Sequence, residues 1–250
     1  MQGIQIFCMR KTNSLWEGFG RYTKQLCSSI LELIFPSHLY CAICGNIIDE
    51  TRPYSLCDHC RDHIGWRLKE PFIAHVYGEA TRCISCCSYG MYERRLIFRL
   101  KYNKKKSTAA IMGEIVADRL KYSEIEYDNI VPVPMEKSKE RKRGFNHAFL
   151  IAKEAGKILE KPVVEHALTR TKKTRAMRGL SPGERRANIS GAFALGREAE
   201  KIMGKRVLLF DDICTTFATG EGLSQTRRSS HDTPQEQGAT VWSKQLFVLL

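Results

Sequence analysis

The sequence predicts a mixed α/β protein, a mainly parallel sheet with flanking helices, preceded by a small four-cysteine zinc module. Three observations predict it. Two short apolar runs, Asn129-Ile-Val-Pro-Val-Pro134 and Arg206-Val-Leu-Leu-Phe-Asp-Asp212, are strands. Segments with helical apolar spacing lie before and between them. Two Cys-x-x-Cys pairs sit upstream of all of these. Strands alternating with helices favour parallel pairing.

Residues 1–35 form a leader with a loose helical pattern. Its most apolar part, Leu26 to Phe35, contains Glu32 and is shorter than the roughly 20 apolar residues a spanning helix needs. We expect no membrane span, no tidy signal peptide and a cytoplasmic location. Residues 36–70 are the cysteine module, and 71–250 the larger domain. Residues 83–92 alternate weakly, as a strand would. Leu96, Ile97 and Leu100 recur at helical spacing in Tyr92–Tyr102. In the next helix Ile111, Met112, Ile115, Val116 and Leu120 share a face. Phe145–Leu159 reads as another helix. The run 206–212 is consecutively apolar, as in a strand covered on both faces. Residues 220–250 are an atypical tail: Ser224 to Gly238 has no apolar period and reads as loop or disorder, and apolar character returns only at Leu246–Leu250.

The net charge is +13, and +12 of it falls within residues 91–190. Such clustering points to an anionic partner, a polyphosphate or a nucleic acid, against the alternative of a solvated basic face.

Cys41-Ala-Ile-Cys44 and Cys57-Asp-His-Cys60 present four thiolates at knuckle spacing. That suits a closed tetrahedral structural Zn²⁺ site. Gly45 follows the first knuckle, where a left-handed residue is useful. The alternatives are four buried free thiols or a redox pair. His59 and His63 are possible substitutes for a thiolate. Cys83, Cys86 and Cys87 read as small apolar residues of a strand.

The second site candidate is Asp211-Asp212-Ile-Cys-Thr215-Thr216-Phe217-Ala218-Thr219. Ligands of open α/β sheets bind at the carboxyl ends of strands. Two carboxylates there can meet ribose hydroxyls or hold a hydrated Mg²⁺, and a hydroxyl-rich loop can cradle a phosphate. A capped strand end is the structural alternative.

This segment resembles the PRPP-binding motif of type I phosphoribosyltransferases. Residues 30–45, ILELIFPSHLYCAICG, residues 140–148, ERKRGFNHA, and residues 170–193, RTKKTRAMRGLSPGERRANISGAF, are similar to the ComF family of competence proteins. Their order and spacing fit from about residue 30 to 219. The resemblance implies a phosphoribosyltransferase-type sheet, structural Zn²⁺, and Mg²⁺ with PRPP. It implies that Asp211 and Asp212 meet ribose and metal, and that Thr215, Thr216, Phe217, Ala218 and Thr219 line the phosphate loop. Lys101 would lie near the pyrophosphate; an ordinary solvated lysine is the alternative. Arg141, Arg143 and Asn146 would belong to a mobile basic loop over the site. It further implies DNA uptake, with single-stranded DNA and other competence proteins as partners. An active phosphoribosyltransferase and a silent scaffold are the alternatives. Phe217 stands where the family usually has glycine, and Met177 where it often has glutamine. The tail departs from the amphipathic helix and final strand expected after the loop.

Overall fold

In the computed structural model the described residues are 39–67, 71–76, 79–102, 107–175, 179–212 and 244–249. They form a five-stranded sheet, a two-stranded sheet and helices packed around them. The strands are β1 (Phe72–Val76), β2 (Glu79–Ser85), β3 (Asn129–Pro132), β4 (Leu168–Arg170), β5 (Phe193–Leu195), β6 (Arg206–Asp211) and β7 (Lys244–Leu249). The large sheet runs β1-β2-β7-β6-β3. Only β1–β2 is antiparallel; the β2–β7, β7–β6 and β6–β3 pairs are parallel.

The helices are α1 (Asp58–Asp62), α2 (Met91–Tyr102), α3 (Ser107–Lys121), α4 (Lys137–Arg143), α5 (His147–Leu159) and α6 (Pro182–Ile189). In α2 and α3 the apolar residues at helical spacing are buried: Leu96, Ile97 and Leu100 in one, Met112, Ile115 and Val116 in the other. Helices α3 and α5 pack against each other. Gly113 lets them approach closely, since a Cβ there would lie 2.6 Å from Glu154 Cβ and 2.9 Å from the Ala155 amide nitrogen. Two side-chain devices start helices. Glu93 Oε2 accepts from the Gly90 amide at the start of α2, and Ser181 with Glu184 forms a reciprocal box at the start of α6.

Strand β6 explains its own consecutive apolar run. Leu208 and Phe210 join the core beneath α3 and α5, while Val207 and Leu209 join a second core with Val131, Leu168, Ile189 and Phe193. Both faces of this strand are therefore covered. Arg206 ties its first residue to the start of β3. Its Nη2 donates to Asp128 Oδ1 at 3.0 Å and its amide to Asp128 Oδ2 at 2.8 Å.

Several expectations need revision. The strand read at 83–92 is β2, at 79–85, and its partner β1 carries no period that announced it. The basic segment read as a loop is largely helix α4, closed by Gly144 at φ +85°. The tail contributes β7, in the middle of the sheet.

Candidate functional site

Two groups of functional side chains stand on this framework, one in the cysteine module and one at the carboxyl end of β6. In the module, Cys41 and Cys44 flank a turn closed by the Gly45 amide donating to the Cys41 carbonyl at 2.9 Å. Cys57 caps α1, its sulfur accepting from the Cys60 amide at 3.4 Å. The four Sγ atoms lie within 4.8 Å of one another, and Cys44 and Cys57 approach to 3.7 Å. A tetrahedron with Zn–S bonds of about 2.3 Å requires sulfurs about 3.8 Å apart, so the donor set fits a closed four-thiolate ion site. Burial opposes ionisation of Cys41, yet amide hydrogen bonds from Cys44, Cys57 and Ile43 bring its thiol down to about 6. Burial and the neighbouring sulfurs push the Cys60 thiol up. Cys41 is thus drawn towards its thiolate while burial holds Cys57 and Cys60 towards their thiols.

Among the described residues the histidines of the module do not join this cluster. His59 Nε2 lies 3.2 Å from Tyr92 Oη, and the His59 and His63 rings are 4.2 Å apart. Cys83, Cys86 and Cys87 are buried in and just beyond β2, where burial pushes the Cys86 thiol up to about 12.

The module is fastened to the larger body. Arg99 Nη1 of α2 donates to the Ala42 carbonyl. Tyr54 Oη donates to Asp118 Oδ2 of α3 at 3.0 Å. Cys41, Ile43, Leu56 and Ile64 share one continuous core with Leu96, Ile97 and Leu100.

The second group centres on Asp212. Asp211 ends β6 and Asp212 follows it, buried. Lys101, near the end of α2, pairs with Asp212 Oδ2. His147, first residue of α5, approaches Asp212 Oδ1 at 3.1 Å with its Nε2. Burial alone would raise the Asp212 carboxyl, but His147 and Lys101 hold it well below the usual carboxylate range. Asp211 behaves in the opposite sense: withdrawal from water and the adjacent Asp212 charge push it up to about 8. The two environments thus pull in opposite directions, Asp212 towards its ionised form and Asp211 towards its protonated one.

Arg143 extends the cluster. Its Nη1 lies 3.4 Å from His147 Nδ1, and its guanidinium sits 5.5 Å from the Tyr102 ring centre. Asn146 caps α5, its Oδ1 accepting from the Ala148 amide at 3.1 Å, and its Nδ2 donates to the Val133 carbonyl at 3.3 Å. Arg141 is exposed on α4. Beside this group, Asn146, Arg170, His166 and Arg197 line a cavity of about 410 Å³ between α4 and the two-stranded β4–β5 sheet. Arg170 feels the charges of Glu136 and Asp211.

The structure therefore brings Lys101, Asp212, Arg143 and Asn146 to one end of the sheet, with Asp211 beside them. Lys101 is a largely buried partner of a carboxylate, not an ordinary solvated lysine. Thr215, Thr216, Phe217, Ala218 and Thr219 lie outside the described residues, as does Met177. Sequence reasoning missed His147 and Arg170. The first stood next to Asn146, at the start of a helix that enters the site, and that position was its only signal.

No family profile matches the chain. Similar curated proteins exist. Competence protein F of Haemophilus influenzae is 27% identical over 205 residues, 81% of this chain and 84% of that protein. DNA utilization protein YhgH of Escherichia coli O157:H7 is 25% identical over 149 residues, which are 58% of this chain and 64% of that protein. The protein of the same name in Salmonella typhi is 24% identical over the same shares. The chain thus aligns with less than two thirds of the YhgH proteins' length.

Proposed function

From the premise that this chain belongs to the ComF family, we propose that it acts in DNA uptake by binding incoming single-stranded DNA, and that it carries a PRPP-type phosphate site on a phosphoribosyltransferase-type sheet. The names of its relatives, competence protein F and DNA utilization protein, support the first half of this reading. The carboxyl-end position of Asp211 and Asp212 beside Lys101 and His147 supports the second and is the observation that carries it. In this reading the loop 215–219 takes the 5-phosphate. Asp211 and Asp212 face ribose and supply the carboxylates for a hydrated Mg²⁺ arriving with PRPP. Lys101 answers the pyrophosphate, exchanging its bond to Asp212 for one to the ligand. Cys41, Cys44, Cys57 and Cys60 hold a structural Zn²⁺, supported by the sulfur spacing. We place the protein in the cytoplasm, among other competence proteins.

Two measurements on the full chain test this. Binding of a labelled single-stranded oligonucleotide across a salt series should weaken steeply as salt rises. Calorimetry with PRPP and Mg²⁺ should show binding that Asp211→Asn abolishes and Phe217→Gly strengthens. Pyrophosphate release from PRPP with a nucleobase, lost in Asp211→Asn and Asp212→Asn, would support an active phosphoribosyltransferase instead. The position of the two carboxylates at the end of β6, beside Lys101, favours keeping that second reading. Neither DNA binding nor PRPP binding would leave only a scaffold.

A further inference from the structure

The outer face of α2 has a composition that the acid-pair site does not use. Its apolar face is spent on the core through Leu96, Ile97 and Leu100. Outward stand Met91, Arg94, Arg95, Phe98 and Tyr102, all exposed. Phe98 and Tyr102 are one turn apart, and their rings lie 4.5 Å between centres at 33°. Exposures of 49% and 59% are large for such rings. Between this helix and the first cysteine knuckle runs a groove of about 330 Å³, lined by Ile43, Met91, Arg94, Arg95, Phe98 and Arg99. Its apolar lining is Ile43, Met91 and Phe98, and its charged lining is three arginines. The only acid of α2, Glu93, is buried and turned to the amides of Gly65 and Gly90 at 2.7 and 2.9 Å. At the other end of the stripe, Arg143 lies over the Tyr102 ring and leads to exposed Arg141 and Lys142 on α4.

We infer that the groove between the knuckle and α2, continued by the Phe98–Tyr102 ring pair to the basic end of α4, is the track that binds single-stranded DNA. Two arginines, then a pair of rings, then the cations of α4 along one line match a strand whose bases are unstacked and whose phosphates run alongside. A duplex keeps its base faces covered and would leave both the rings and the apolar groove unused. The stripe from Met91 to Tyr102 is about 16 Å long at 1.5 Å per residue, long enough to engage more than one nucleotide. Arg99 pins the knuckle through the Ala42 carbonyl, so the four-thiol centre fixes one wall of the groove. Lys101 and Tyr102 are adjacent, one turned into the acid pair and the other outward, so the strand track and the phosphate site meet on one helix end. This inference rests on the DNA-binding reading above and assigns it a surface.

The test uses the full chain and fluorescence anisotropy with a labelled oligothymidylate. Its arms add a hairpin duplex and phosphatidylserine vesicles as alternative anionic partners. Phe98→Ala with Tyr102→Ala should weaken oligothymidylate binding about tenfold or more, leaving the salt slope unchanged. Arg94→Gln with Arg95→Gln should lower the log–log salt slope by about 1.4, at about 0.7 per phosphate contact on a single strand. Duplex binding should be insensitive to the aromatic pair. Melting curves report whether the variants fold. If the alanine pair does not, Phe98→Leu, which keeps apolar volume and removes the ring face, should still weaken binding. Wild-type affinity in the aromatic and arginine variants overturns the placement while sparing the DNA-binding reading. Failure of the wild type to bind the oligonucleotide, or a preference for vesicles, overturns both.

Discussion

Around Asp212, a lysine and a histidine from two different helices converge on one buried carboxylate at a strand end. Removing one partner from a buried ion pair typically costs about 3–5 kcal/mol, because the remaining charge is stranded. His147 still faces Asp212 in a Lys101→Met variant, so the expected loss is smaller, about 2 kcal/mol. Denaturant unfolding measures it, and adding Asp212→Asn should restore part of the loss. A Lys101→Met protein as stable as the wild type would mean the pair contributes nothing net. At this scale the sequence was only half readable. The doublet Asp211-Asp212 announced itself by following an apolar strand. Of its cation partners, Lys101 entered only through the family resemblance and His147 not at all, because both lie far away along the chain and meet the doublet only through the fold.

The elements divide according to how they are held. Helices α2, α3 and α5 were legible because each buries an apolar stripe, and β3 and β6 because each is an uninterrupted apolar run. Helix α4, KSKERKR, buries none of its residues and has no stripe to read. Its basic last turn sits at the negative end of the helix dipole. Strands β4 and β5 are three residues each, too short for alternation to register. Helix α6 is held by its capping box and by Asn188, whose side chain bonds the Arg175 backbone at 2.9 and 3.0 Å. The β6–β3 junction is held differently, by charge. Arg206 holds the Asp128 carboxyl below its ordinary value of 3.8. A depressed carboxylate stabilises the fold above its unfolded pKa and loses that contribution as pH falls through the folded one. Asp128→Asn should therefore lower the melting temperature at neutral pH. The difference from wild type should shrink as pH drops below 3.8 and through the lower folded value, where Asp128 takes up its proton.

For the molecule as a whole, the cysteine module and the sheet share one apolar core. Cys57→Ser, or a strong chelator, should lower the melting temperature of the entire protein in a single calorimetric transition. A separate early transition would show that the module melts alone. The sheet makes a second prediction. β7 lies between β2 and β6, so deleting residues 244–250 removes the only strand that joins the two halves among the described residues. Such a truncation should abolish cooperative unfolding, whereas loss of an edge strand would only weaken it.

The same strand order governs how the chain matures on the ribosome. β2 and β6 both emerge before the segment that must slide between them. Until it arrives, each nascent half presents an open backbone ladder, able to pair with any other strand nearby. Quality control during synthesis thus has a defined moment of greatest need: after β6 has left the exit tunnel and before β7 has followed it.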